Sequence, residues 1–375
     1  MVVGILKEPS YENRVSLLPE AVALLKKMKI DILVEEGAGE QAFVNDEDFK
    51  SVGAQIVSQY TILADADVLL KINSFTLEEI EKVKSGKTIL AVFNPFQNKP
   101  IVNAMVQKGI TSFSLDTIPR TSRAQSMDIL SSMATVSGYK AVLDAAFHLP
   151  RFFPMFMSAA GTIRPAKVLI LGAGVAGLQA IATSRKLGAV VEVFDVRSAV
   201  KEEVQSLGGK FIEVEGAKDD KAAGGYAIEQ SEEFKQKQRQ LIHDHAIKAN
   251  VVITTAQIPG RQAPLLLTKE TVNGMSAGSV VVDLAASTGG NCELTQNGKT
   301  IKHNQVTIIG KSDYPSEMPL DASKMFGNNL LNFLKLIITA EGDLKLNFED
   351  DIVKGTCLTH DKQIVNERVK QILTA

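Results

Sequence analysis

The 375-residue chain is poor in cysteine: it has two, Cys292 and Cys357, and neither stands in a CxxC or CxxH spacing. That excludes a disulfide framework and fits a reducing compartment, and no metal site is expected. Net charge is also missing. With 41 basic against 43 acidic residues, the formal charge of −2 gives no basic field for a nucleic-acid backbone or an anionic membrane surface. Long apolar runs are absent too. The longest, residues 168–182, is broken by Gly172, Gly174, Gly177 and Gln179, short of the ~18 uninterrupted apolar residues of a spanning helix. The apolar start, residues 1–6, meets Lys7 and Glu8, too soon for a signal peptide, and reads as a first strand. What is present is the balance of a globular protein, 45% hydrophobic and 22% charged. At ~150 residues per domain, the length fits two domains, with small soluble partners.

Short β-rich runs alternate with helical stretches through the first third: 2–6, 30–35, 67–72, 88–92 and 111–115 as strands, 19–28, 46–52, 77–83 and 100–108 as helices. Such alternation predicts a parallel sheet with helices on its faces. A helical bridge follows at about 126–147, with Ile129, Met133, Val136, Tyr139 and Leu143 at helical spacing. A second alternating series begins at 167. The predicted fold is α/β: two Rossmann-like doubly wound parallel-sheet domains joined by a long helix. The first spans 1–131 and is rejoined by 320–375, where a helix over 323–338 leads to hairpin-like segments around Gly342 and Gly355. The second spans 132–319.

Gly172-Ala173-Gly174-Val175-Ala176-Gly177 is a GxGxxG loop in full context. A strand precedes it, a helix follows, and a second strand over 190–194 ends in Asp195. Gly172 permits the tight turn, Gly174 lets the backbone approach a pyrophosphate, and Gly177 lets helix and strand pack closely. The positive end of the helix favours phosphate charge. Asp195, 18 residues past Gly177, is placed to bond the adenosine ribose hydroxyls, which favours NAD(H). Arg197 is the competing feature, since an arginine there accommodates a 2'-phosphate.

A dehydrogenase that moves a proton with its hydride needs a general acid or base. Candidates are few. The five histidines, His148, His243, His245, His303 and His360, read as solvated or structural. Lys71, at the end of a strand, is either a ligand-side lysine or a surface lysine closing that strand. The densest polar constellation is Arg120-Thr121-Ser122-Arg123-Ala124-Gln125-Ser126-Met127-Asp128, with Ser131 beyond it. Arg120 offers a planar fork, Gln125 an amide, and Asp128 a carboxylate for Arg120 or a carboxamide. The alternative is a capped helix entrance with Ser122 or Ser126 as the cap. Gly224, Gly225 and Tyr226 read as a flap before a charged helix that carries Gln238.

These residues closely resemble the RxSRAQSxD signature of the NAD(H)-binding component of proton-translocating nicotinamide nucleotide transhydrogenases. The resemblance extends through Gly172, Gly174, Gly177, Asp195-Val196-Arg197, Gly224-Gly225-Tyr226-Ala227, Thr254-Thr255-Ala256-Gln257-Ile258-Pro259-Gly260 and Gly289-Gly290-Asn291-Cys292. It implies that Arg120, Gln125, Asp128 and Ser131 contact the nicotinamide end, with Arg120, Gln125 and Asp128 at the site of transfer. Val175, Asp195, Val196 and Arg197 would bind the adenosine and pyrophosphate half. Gly225, Tyr226, Gln238 and Gln257 would belong to the mobile-loop side, Gln257 standing where the motif carries leucine. Direct hydride transfer from NADH to NADP+ has no substrate proton to remove, which fits the missing acid and base.

The resemblance further implies a separately encoded soluble subunit. NADP(H) would sit on a second subunit and the proton path in a membrane subunit. The chain would be a homodimer in the cytoplasm, peripheral on the inner membrane through its partners. Two rival readings stand. One is an alanine dehydrogenase-like amino-acid oxidoreductase, which the segment Gly4-Ile5-Leu6-Lys7-Glu8 with Arg14 also resembles. Lys71 matches that enzyme's lysine, but Asn94 stands where its histidine would be. The other is a non-catalytic NAD-binding regulatory protein.

Overall fold

A computed structural model describes residues 1–214, 231–257 and 261–374. It divides into two compact units, Met1–Met133 with Pro315–Ala375, and Ala134–Tyr314. The division falls inside the helix Ile129–His148.

The first unit carries six parallel strands: Val2–Ile5, Asp31–Glu35, Gln55–Val57, Val68–Asn73, Thr88–Val92 and Thr111–Ser114. Their spatial order is third, second, first, fourth, fifth, sixth, so the winding reverses between Val2–Ile5 and Val68–Asn73. That is the doubly wound arrangement. A sheet covered on both faces needs continuous apolar strands, and the first five residues of Val68–Asn73 are all buried. Alternate residues feed two cores. Val3, Ile5 and Leu70 pack with Phe326 and Phe333, while Leu6, Leu69 and Ile89 pack with Phe93 and Met105. Helix starts are set locally: Thr76 and Glu79 form a capping box, as do Asn45 and Asp48.

The chain's last segment completes this unit. Cys357–His360 pairs antiparallel with Thr111–Ser114, and Gln363–Ile364 closes that edge. The helix Pro319–Ile337 buries Phe326, Leu330, Phe333, Leu334 and Ile337 at the three-and-four spacing of an amphipathic helix. Cys357–His360 and Gln363–Ile364 form the hairpin expected around Gly355, but Gly355 itself lies just before it in the helix Asp351–Thr356, which Asp350 caps by accepting the amides of Ile352 and Val353.

The second unit repeats the winding. Lys167–Leu171, Val190–Phe194, Lys210–Ile212, Val251–Thr254, Val280–Asp283 and Val306–Gly310 are parallel, and Lys299–His303 runs antiparallel at one edge. The reversal lies between Lys167–Leu171 and Val251–Thr254. The long helix does not begin at 126. Ser122–Met127 forms a 3-10 turn, and Asp128 then starts Ile129–His148. Phe156–Ser158 and Gly161–Ile163 form a separate hairpin whose six residues are all exposed. Among the described residues, no helix is long and apolar enough to cross a membrane.

Candidate functional site

In an open α/β sheet, ligands meet the crevice beyond the carboxyl ends of the strands, where the winding reverses. In the second unit that point carries the glycine loop. Gly172 has φ +105°, a turn that a side chain resists, and its carbonyl accepts the Thr255 hydroxyl at 3.1 Å. A Cβ on Gly177 would stand 1.9 Å from the Gly172 carbonyl oxygen, so only glycine lets helix Val175–Lys186 come this close to the strand. A Cβ on Gly174 would meet nothing within 4 Å. The space before Gly174 is therefore open to an approaching group, at a helix start with no side-chain cap. Val175, the first helical residue, is 41% exposed beside it.

Asp195 ends Val190–Phe194 and is nearly buried. One oxygen accepts the Arg197 amide at 2.8 Å and Arg197 Nε at 2.9 Å. The other accepts the Ala173 amide and Arg197 Nη2, both at 2.7 Å. A carboxylate has about four lone-pair sites, and all are taken. Asp195 and Arg197 thus form one unit rather than two competing signals. Val196 between them is half-buried against the apolar core under the sheet.

Across the reversal, residues 255–257 leave the strand Val251–Thr254. Asn291 fixes them by donating to the Ala256 carbonyl and accepting the Ala256 amide. Asn291 is in turn held by Asp283, fully buried, which also accepts from Thr254, Ala285, Cys292 and Thr295. Gln257 spends its side-chain amide on the Leu284 carbonyl at 2.7 Å. Gln238 is half-buried on helix Glu232–Ala246, and no hydrogen bond among the described residues joins it to the glycine loop. Gly225 and Tyr226 lie outside the described residues, as do Gly224, Ala227 and 258–260.

Arg120, Gln125, Asp128 and Ser131 belong to the first unit. The buried Ala124 and Met127 plug the 3-10 turn into the core, leaving Arg120 and Gln125 exposed. Neither Ser122 nor Ser126 caps the helix. Asp128 does, accepting the Ser131 amide at 2.9 Å and the Ser131 hydroxyl at 2.6 Å, while its carbonyl takes the Ser132 amide.

The family described as "Alanine dehydrogenase/PNT, N-terminal domain" matches residues 4–137, and "Alanine dehydrogenase/PNT, C-terminal domain" matches 141–367. The chain belongs to this family. Within it, the chain is 45% identical over 364 residues to an NAD(P) transhydrogenase alpha-subunit chain of Rhodospirillum rubrum, covering 95% of each chain. It is similar to the solved transhydrogenase structure from Sinorhizobium meliloti, with 42% identity, a TM-score of 0.89 and coverage of 97% of this chain and 100% of that one. Alanine dehydrogenase of Mycolicibacterium smegmatis is more distant, at 28% identity over 100% of this chain and 97% of that protein.

The first unit has its own reversal point, between Val2–Ile5 and Val68–Asn73, and polar pairs fill it. Lys71 is not a surface lysine: it is buried and donates to both Glu79 oxygens, at 2.8 and 3.0 Å. Arg14 is bound to both Glu12 oxygens, at 2.8 and 2.6 Å. Burial pushes the Glu8 carboxyl up, against the lowering effect of bonds from Ile72 and Asn73 and the charge of Lys71. Each of the five histidines has a partner: Asp144, Thr271, Glu192, Asn273 and Thr111 in chain order. Burial raises the thiols of Cys292 and Cys357 to about 11 and about 12, so neither is a thiolate at neutral pH.

Sequence reasoning missed Gly138. A Cβ there would stand 2.1 Å from the Ala176 carbonyl oxygen, in the first turn after the glycine loop. A lone glycine inside a helical pattern was the available signal. Asp283 and Asn291 carried no such signal as a pair, because only the loop geometry joins them.

Proposed function

We propose that the chain is the NAD(H)-binding component of a proton-translocating NAD(P) transhydrogenase. It would pass hydride directly between NADH and NADP+ held by a separate NADP(H)-binding subunit, with a membrane subunit coupling transfer to proton movement. In this reading the chain works as a homodimer in the cytoplasm, peripheral on the inner membrane through its partners. One observation carries it: the chain has a dinucleotide loop with open space before Gly174, while its candidate proton carriers, Lys71 and the five histidines, are each bonded within their own unit. The 45% identity to a transhydrogenase alpha subunit supports it.

The residues fit a dinucleotide. Gly172, Gly174, Val175 and Gly177 would hold the pyrophosphate at the uncapped helix start. Asp195, Val196 and Arg197 would take the adenosine half, and Arg197 must yield an acceptor site on Asp195 for a ribose hydroxyl to bond there. Asp128 differs: Ser131 occupies two of its acceptor positions, leaving others for a carboxamide NH2. Arg120, Gln125 and Ser131 would complete the nicotinamide end, and the proposed site also includes Gly225, Tyr226, Gln238 and Gln257. Bound NADH would supply the hydride from C4 of its ring. The chain's residues would hold that ring ~3–3.5 Å from its acceptor and keep water out.

The test mixes the purified chain with the NADP(H)-binding component of such an enzyme and follows transfer from NADH to NADP+. The expected result is transfer well above background, cut by Gln125→Asn much more than NADH binding is. Intact NADH binding with no transfer would overturn the reading. Turnover of alanine or pyruvate with NAD(H) by the chain alone would replace it with the dehydrogenase reading.

A further inference from the structure

The loop 120–128 is gripped by side chains to which neither the motif nor the dinucleotide chemistry gives a role. A 3-10 turn has poor internal hydrogen bonds, so its shape depends on what surrounds it. Ala124 and Met127 set its depth in the core. Polar ties then set its register. Arg123 donates to both Asp350 oxygens, at 2.7 and 2.6 Å, and also to Asp351. The planar guanidinium makes this two-point grip directional. Asp350 is itself fixed, because the same carboxylate caps Asp351–Thr356.

On another side, the Ser126 carbonyl accepts the side-chain amides of Asn329 at 2.8 Å and Asn332 at 3.1 Å. These two are three residues apart on Pro319–Ile337 and so share a face. Pro119, just before the loop, lies where a Cβ on Gly355 would come within 2.5 Å. The chain is thus held at 123 and 126 and closely approached at 119, and Arg120 and Gln125 lie exposed between these points. Asn329 Oδ1 is buried and accepts no hydrogen bond among the described residues, which costs folding free energy. A leucine would pack there without that cost, so the asparagine serves what its NH2 holds.

We propose that Asn329, Asn332, Asp350 and Asp351 are positioning residues that hold the turn Ser122–Met127 in the geometry presenting Arg120 and Gln125 to a nicotinamide nucleotide. The proposal rests on the transhydrogenase reading for what the loop presents its groups to. It places the C-terminal segment in the service of the loop through Arg123 and the Ser126 carbonyl.

The test reads amide hydrogen exchange over 121–128 in the full chain, with and without NADH, alongside transfer to the NADP(H)-binding component. In Asp350→Asn/Asp351→Asn, loop exchange should quicken and transfer kcat should fall about tenfold or more, with KM for NADH within about twofold. Asp350→Glu, which keeps the charge, should restore much of both. Asn329→Leu should quicken loop exchange and lower kcat while the melting temperature holds or rises. Unchanged loop exchange in these variants, or faster exchange with unchanged kcat, overturns the proposal. The functional reading fails separately, if wild-type protein transfers no hydride and NADH gives 121–128 no protection. The hold on the loop is then judged by the variants' exchange alone.

Discussion

At the scale of single residues, the structure turns several titratable groups from chemical candidates into partners. Lys71 is the clearest. Its ammonium and the Glu79 carboxylate are both nearly buried, so removing one leaves the other as an uncompensated charge. Lys71→Met should cost about 3–5 kcal/mol, and Lys71→Met/Glu79→Gln should recover most of it. Urea unfolding checks this; a single-variant loss below about 1 kcal/mol would show that Lys71 is not committed to Glu79. Asp350 carries a pH signature. Its bond to Arg123 is the largest influence on its carboxyl, and with the Ile352 and Val353 amides it holds the group at about 2, below the ordinary 3.8, while burial opposes. A lowered folded pKa means that its stabilisation is fully present above 3.8 and is lost as pH falls through 2. Asparagine caps a helix as well as aspartate, so Asp350→Asn keeps the cap while removing the charge and one of the two oxygens that accept from Arg123. Denaturant titrations should show a small gap between wild type and variant at pH 6 that closes toward pH 2. A gap of constant size across that range would be the contrary result.

At the scale of elements, local pattern carried far because most elements are marked locally. The buried strand Val68–Asn73, the capping box at Thr76 and the glycine loop each sit within a short span of sequence. Elements that depend on a distant partner did not show. Cys357–His360 is a strand because Thr111–Ser114 offers an open edge, whereas Lys299–His303, whose partner Val306–Gly310 is next in the chain, did not show because it has only one partly buried face. Gly138 shows two elements fixing one another: the long helix approaches the start of Val175–Lys186 so closely that a methyl group cannot enter. Gly138→Ala should destabilise by about 1–3 kcal/mol through overpacking. It should also weaken NADH binding, since the displaced turn carries the amides proposed to face the phosphates. A melting curve and an NADH titration check this, and unchanged NADH affinity would uncouple Gly138 from the site.

At the scale of the molecule, an exposed apolar hairpin bears on the proposed homodimer. A two-stranded hairpin is marginal alone, yet Phe152 lies against Phe156, ring centroids 4.2 Å apart and planes tilted by 37°, and Phe156 pairs with Ile163 in the open. With Met155 and Met157, these side chains expose on the order of 600 Å², and two copies would reach the low end of the ~1,200–2,000 Å² of a stable interface. The wild-type chain should sediment as a dimer and Met157→Asp/Phe156→Asp as a monomer with unchanged helix content; a monomeric wild type would remove this interface. The sequence by itself determined what repeats or recurs over short spacing: two β/α series, the glycine loop with its acid, the polar loop 120–128, and the scarcity of proton carriers. Periodicity and spacing are local properties, so a linear reading reaches them. Tertiary structure alone decided which groups are spent on each other. Lys71 lies against Glu79, Arg197 fills the acceptor sites of Asp195, and Asp350 reaches Arg123 across 227 residues of chain. Those pairings depend on how strands and helices come to rest, which no residue's immediate neighbours encode.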